Sequence, residues 1–175
     1  MTIKEKAQAL RKELKEELGL TSKQVSVRVN HGIAIDVRIK ALVNPDKVEK
    51  LARKYEKIDR CHASGEILQG GNDFVSVEFD YDFLKEQAKK YTDKAKEILD
   101  NAETENKLIG TIAKVEHLDE DKVLLRNIGH NGFIEVGRPG NAFRHAAHNE
   151  QALAEAFVHL EARYGTEAMQ ELGLL

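Results

Sequence analysis

Cys61 and His62 stand side by side in RCHASGEILQGGNDF, residues 60–74, and place the chain's one thiol beside an imidazole. A thiol and an imidazole that meet in space form an activated nucleophile. Neighbours on an extended chain point to opposite sides, so adjacency works against that meeting. Cys61 reads instead as a small buried filler. The same stretch carries Gly65, Gly70 and Gly71. A phosphate-gripping loop needs its glycines between a strand and a helix N-terminus, where amides and dipole are supplied. Here a strand pattern follows, and the Gly-Lys-Ser/Thr ending is absent. The stretch is expected to be a long connection that turns at Gly70-Gly71-Asn72, anchored by Ile67 and Leu68. Long ordered loops carry recognition. Gly65, Glu66, Ile67, Leu68, Gly70, Gly71 and Asn72 are therefore the loop recognition candidate.

Histidines crowd the other end. Five of the seven lie after residue 116: His117, His130, His145, His148 and His159. On a helix His145 and His148 would share a face, but zinc needs further ligands, from His117, Glu116 or Asp119. Arg138, Asn141, Arg144, His145 and His148 form the densest polar group beside a glycine-bearing loop, the candidate for an anion or metal. Solvated or capping histidines are the simpler reading, and no metal or cofactor is expected.

A third candidate is basic. Lys47, Lys50, Lys54 and Lys57 make a stripe along a helix at 45–57, and Arg28, Arg38 and Lys40 lie on the outward side of a hairpin. A basic stripe can track phosphates. Glu49, Glu56 and Asp36 interrupt it, and no aromatic is interleaved for base stacking. The sequence contains no Ser-His-Asp pattern and no convincingly spaced carboxylate pair, so no catalytic residue is assigned.

Composition bounds these options. A chain of 175 residues with one cysteine and no tryptophan can bury an aliphatic core without a disulfide. Its net charge of −3 advertises no global attraction to nucleic acid. No run approaches the ~20 apolar residues of a membrane span, and the N-terminus lacks a signal-peptide pattern. A cytoplasmic protein that does not enter membranes is expected.

The elements that must position the candidates follow from periodicity. Ile3, Ala7, Leu10, Leu14 and Leu18 mark a helix that Gly19 stops. QVSVRV and IAIDVRI alternate as a hairpin. A three-residue loop, Asn30-His31-Gly32, sets Val29 opposite Ile33, Val27 opposite Ile35 and Val25 opposite Val37, all on one side. Asn44 and Pro45 start a second helix, with Val48, Leu51, Ala52 and Tyr55 inward. A weak strand follows at Lys57–His62, then a clear one through Val75, Val77 and Phe79. Leu84, Ala88, Tyr91, Ala95, Ile98 and Ala102 form a heptad seam on one long helix. That seam closes within the chain, against the first helix, or makes a homodimer through residues 84–102. LIGTIAKV, KVLLRNI and GFIEV suggest a β-meander. A helix capped by Asn149 completes the chain, with Leu153, Ala156, Phe157, Leu160 and Tyr164 inward. The predicted class is α+β: an antiparallel sheet with helices on one face over 1–81, a long connecting helix over 82–106, and a small meander-plus-helix module over 107–175.

The order of elements over residues 8–81 resembles domains associated with large polyvalent proteins of phages and conjugative elements. The Val-x-Val-x-Val run at 25–29, the Asn44-Pro45 helix start, Gly65-Glu66-Ile67-Leu68 and Gly70-Gly71-Asn72 carry the resemblance. It implies an accessory protein of a phage, prophage or plasmid, and it transfers no catalytic residue. The leading expectation is a non-enzymatic binding module acting through protein–protein contacts. A nucleic-acid-binding factor using the helix at 45–57, and a small metal-dependent enzyme using the C-terminal histidines, are the alternatives.

Overall fold

The structure, a computed structural model, describes residues 1–100, 108–111, 124–127, 134–137, 144–147 and 149–175. The chain divides into two compact units, Met1–Phe83 and Leu84–Leu175. The fold is α+β, as the alternating patterns predict.

In the first unit α1 (Ile3–Leu18) opens on a capping box. The Thr2 hydroxyl accepts from the Glu5 amide while the Glu5 carboxylate accepts from the Thr2 amide. Gly19, at φ 66°, supplies the left-handed C-terminal stop. The sheet has three strands in the order β1 (Val25–Asn30), β2 (Ala34–Ile39), β3 (Phe74–Phe79). α2 (Pro45–Ala52) is capped by the Asn44 side chain and runs into a 3₁₀ turn at Arg53–Tyr55. Val25, Val27, Ile35, Val37, Ile39, Val75 and Phe79 are buried with Leu10 and Leu14 of α1 and Val48 and Leu51 of α2. The helices thus cover one sheet face, and the alternate residues, Arg28 and Arg38 among them, lie on the other.

Three expectations for this unit change. The sheet is mixed: β1 and β2 are antiparallel, but β3 runs parallel to β2, with Val37 beside Val77 and Ile39 beside Phe79. The intervening helix is the reason, because a crossover returns the chain to the same end of the sheet. The hairpin loop is His31-Gly32-Ile33, and Val25 pairs with Ile39, Val27 with Val37 and Val29 with Ile35. That is a slip of two residues, which keeps every apolar side chain on the same face. It brings Ile39 fully into the core and leaves Ile33 about half exposed, at 53%. Its positive-φ residues are His31 and Gly32. Lastly, the segment expected as a weak strand at 57–62 makes only isolated bridges, Lys57 with Asp73 and Arg60 with Ile67.

The predicted long helix, which begins just before the second unit, is two, α3 (Tyr81–Ala88) and α4 (Thr92–Asp100), joined by a 3₁₀ turn at Lys89–Tyr91. The Thr92 hydroxyl reaches back to the Ala88 carbonyl at this join. Such back-bonding bends helices. Residues 101–106 of the expected helix, Ala102 of its seam included, lie outside the described residues. Strands β4 (Leu108–Thr111), β5 (Leu124–Asn127), β6 (Ile134–Gly137) and β7 (Arg144–Ala147) form an antiparallel meander in that order. α5 (Glu150–Tyr164) follows, with its N-cap Asn149 accepting from the Ala152 amide at 2.8 Å, and then α6 (Thr166–Glu171).

The heptad seam is filled from inside the chain, but not by α1. Ala88, Tyr91, Ala95 and Ile98 pack with Leu153, Phe157 and Leu160 of α5 and with Met169 of α6. Tyr91 and Phe157 meet edge to face, ring centroids 5.8 Å apart. A homodimer through this seam loses the free face it requires. Phe157→Ala is expected to cost about 3–5 kcal/mol through cavity formation. Urea denaturation measures it; a loss below about 1 kcal/mol would place the packing centre elsewhere.

Candidate functional site

The glycine-bearing stretch forms a self-braced arm between the 3₁₀ turn and β3. Its base is closed by reciprocal bonds between Lys57 and Asp73, at 2.9 and 2.8 Å. Further out, the Leu68 amide donates to Asp59 and the Cys61 amide to Glu66, both at 2.8 Å. Asn72 is the internal clamp. It is only 9% exposed, accepts from the Asp59 amide at 2.7 Å and donates to the Leu68 carbonyl at 2.7 Å. Lys6 of α1 ties the base down, donating to the Asp73 carboxylate at 2.6 Å and the Tyr55 carbonyl at 3.1 Å. Gly65, Gly70 and Gly71 all have positive φ, which is why the turns need glycine.

Two expectations for this arm are overturned. Ile67 and Leu68 do not anchor it, for they stand 46% and 48% exposed. Asn72 and the backbone bonds provide the order that apolar anchoring was expected to supply. Cys61 is half-buried in the arm rather than a core filler. Its polar neighbour is Ser64, whose hydrogen bonding holds the thiol below its usual range. His62 is exposed and takes no part.

The basic candidates do not form one surface. Arg28 and Arg38 lie on the sheet face opposite α1 and α2, whereas Lys47, Lys50 and Lys54 ride on α2 and its 3₁₀ extension. Several are also paired with acids. Lys54 pairs with Glu13 and sits 3.8 Å from Glu17, Lys57 meets Asp59 at 3.1 Å, and Arg38 pairs with Glu78. The Glu13 carboxyl is held low by Lys54 foremost, with the Tyr55 hydroxyl also donating to it. That contact and burial push Tyr55 up to about 12, burial being the larger cause.

Of the anion or metal candidates, Arg138, Asn141 and His148 lie outside the described residues. Arg144 and His145 fall on β7, where His145 pairs with Val136 and Arg144 with Gly137. The helical spacing that would put His145 and His148 on one face therefore does not apply at His145. Among the described residues no group of three or more His, Cys, Asp or Glu side chains is placed to hold a metal. No helix among them is long and apolar enough to cross a membrane.

A site that motif reading missed lies along β1. A cavity of about 460 Å³ opens between this strand and α1, floored by Leu20, Val25 and Val27 and rimmed by Arg11, Lys15 and Arg28. β1 is an outer strand of the sheet. The Lys40 amide donates to the Gln24 carbonyl, which sets the alternation of the antiparallel ladder. The main-chain groups of Ser26 and Arg28 then face β2, and those of Val25, Val27 and Val29 face outward. The Val25 amide is taken by the Thr21 carbonyl at 3.0 Å and the Val27 carbonyl by the Arg11 guanidinium. The Val25 carbonyl, the Val27 amide and both groups of Val29 have no protein partner among the described residues. At the opposite edge Val75 of β3 is occupied twice, its carbonyl by Arg53 at 3.2 Å and its amide by Glu56 at 3.3 Å.

The signal for this groove was present as alternation in QVSVRV, but alternation does not say which side of a strand stays unpaired. Comparison with family models, curated proteins and solved structures returns no match. Asn72→Ala is expected to leave the Asp59 amide and Leu68 carbonyl unpaired, at a cost of about 1–3 kcal/mol. Hydrogen exchange should show faster exchange at Asp59 and Leu68 with the β1–β2 ladder unchanged; unaltered protection there would remove Asn72 as the clamp.

Proposed function

We propose that the N-terminal unit is a non-enzymatic binding module acting through protein–protein contacts, and that its working surface is the groove along β1. The observation that carries this reading is the open strand edge: unpaired main-chain groups of Val27 and Val29 beside an apolar floor. An exposed edge is a template for another strand, and natural sheets leave one bare where it is used. The resemblance of residues 8–81 to domains of large polyvalent phage and plasmid proteins supports the same reading and suggests a mobile-element setting. The braced arm with exposed Ile67 and Leu68 offers a second contact surface within the unit.

A random twelve-residue peptide library displayed on phage tests the groove, with the full chain as bait. Selected peptides should slow hydrogen exchange at the Val27 and Val29 amides. Val29→Pro should weaken them by about tenfold or more, because proline deletes an outward donor while sparing the β2 ladder. Val29→Thr, which keeps the amide, should bind as the parent does. Binders that leave those amides unprotected and ignore Val29→Pro would overturn the proposal, as would a library yielding none.

A further inference from the structure

We infer that the β1 groove takes an extended acidic segment, with apolar and carboxylate side chains alternating, as an added strand. This inference rests on the groove being the working surface and specifies what fills it. An incoming strand bonded to Val27 and Val29 continues the pleat, so its side chains alternate between the two sheet faces. One parity lies over Leu20, Val25 and Val27 on the helix side, where apolar side chains are wanted. The other lies on the open face beside Arg28.

Arg28 marks the open face for the second parity, and Arg11 and Lys15 on α1 add positive charge at the rim. The groove's lining holds three cations, Arg11, Lys15 and Arg28, and no carboxylate. Lys15 and Arg28 have no ion-pair partner among the described residues. Asp36, the acid opposite Arg28 on β2, makes no ion pair with it and instead accepts from the Asn30 side chain at 3.0 Å and the Ser76 hydroxyl at 2.9 Å. Cations that are unpaired beside a desolvating groove favour an anionic partner and repel a cationic one.

Arg11 gives the groove an empty and a filled arrangement. Its guanidinium occupies the Val27 carbonyl, the acceptor that an added strand's amide would take. Strand addition replaces that donor and frees Arg11 for a carboxylate on the segment. Until then the contact covers one of the acceptors that would invite unspecific pairing.

The same charges argue against a second copy as the occupant. β1 reads VSVRVN, with Arg28 and no acid, so pairing it with itself would bring a second arginine into an already cationic groove. Nucleic acid would share the attraction to cations but cannot use the Val27 and Val29 main-chain groups in register.

The test uses two synthetic peptides, acetylated and amidated, Thr-Glu-Val-Glu-Ile-Glu-Val-Glu-Thr and its counterpart with lysine at every glutamate, titrated calorimetrically into the full chain. A twenty-nucleotide oligothymidine is the third probe. The glutamate peptide is expected to bind about tenfold or more tightly than the lysine peptide, an advantage that shrinks with added salt. The charge-reversed variant Lys15→Glu/Arg28→Glu should invert the preference, and both sites are exposed, so the fold should tolerate it. Equal binding of both peptides, or binding of neither, overturns the acidic specificity. Library-selected peptides that remain sensitive to Val29→Pro would still sustain the binding module in that case. Oligothymidine binding that competes with or exceeds the glutamate peptide overturns the inference in favour of nucleic acid. Concentration-dependent dimerisation abolished by Val29→Pro overturns it in favour of a second copy.

Discussion

β3 lies parallel to β2, and a parallel partner cannot be reached by a short turn. The chain must leave the end of β2, travel back over the sheet and enter β3 from the same end as β2 began. α2 does this work, burying Val48, Leu51 and Ala52 on the way. Everything distinctive in the N-terminal unit follows from that constraint. β3 takes one side of β2, β1 takes the other, and β1 is left as an edge. The arm between Tyr55 and β3 exceeds what the crossover needs, and it is ordered by its own hydrogen bonds rather than by the core.

The two edges of this sheet are treated differently. On β3 the crossover brings Arg53 and Glu56 against Val75, and their side chains satisfy its outward main-chain groups. On β1, among the described residues, Thr21 takes one outward amide and α1 contributes one guanidinium to one carbonyl. Unsatisfied main-chain groups at a sheet edge are a hazard unless covered, charged or used. Charge is present at β1 as Arg11, Lys15 and Arg28, which discourages self-pairing without closing the groove.

Tertiary pairing also decides which cations are available. Lys54 finds Glu13 and Arg38 finds Glu78, partners that stand 41 and 40 residues away in sequence. A stripe of lysines spaced along one helix therefore overstates the charge that helix presents. The unpaired cations at the groove come from two elements, Lys15 from α1 and Arg28 from β1, and no linear motif joins them.

Local sequence determined much of this protein. The helical repeat of Leu10 and Leu14, the stop at Gly19, the caps at Asn44 and Asn149 and the alternation of Val25 to Val29 each act within a few residues. They specify an element, its ends and its buried face. The heptad spacing of Ala88, Tyr91, Ala95 and Ile98 likewise specified a seam to be covered. Only the tertiary structure decided what covers it, because α5 is more than 50 residues away. The hairpin register was undecided for a related reason. A slip of two preserves the inward face, so alternation cannot choose between Ile33 and Ile39 as the buried isoleucine; in the fold it is Ile39, between Val25 and Phe79. Arg144–Ala147 lacks alternation of its own and becomes a strand only through its pairing with β6. The RCHASGEILQGGNDF stretch shows the same division. Its glycines announce turns locally, through their positive φ, while the exposure of Ile67 and Leu68 and the burial of Asn72 depend on how the arm closes on itself.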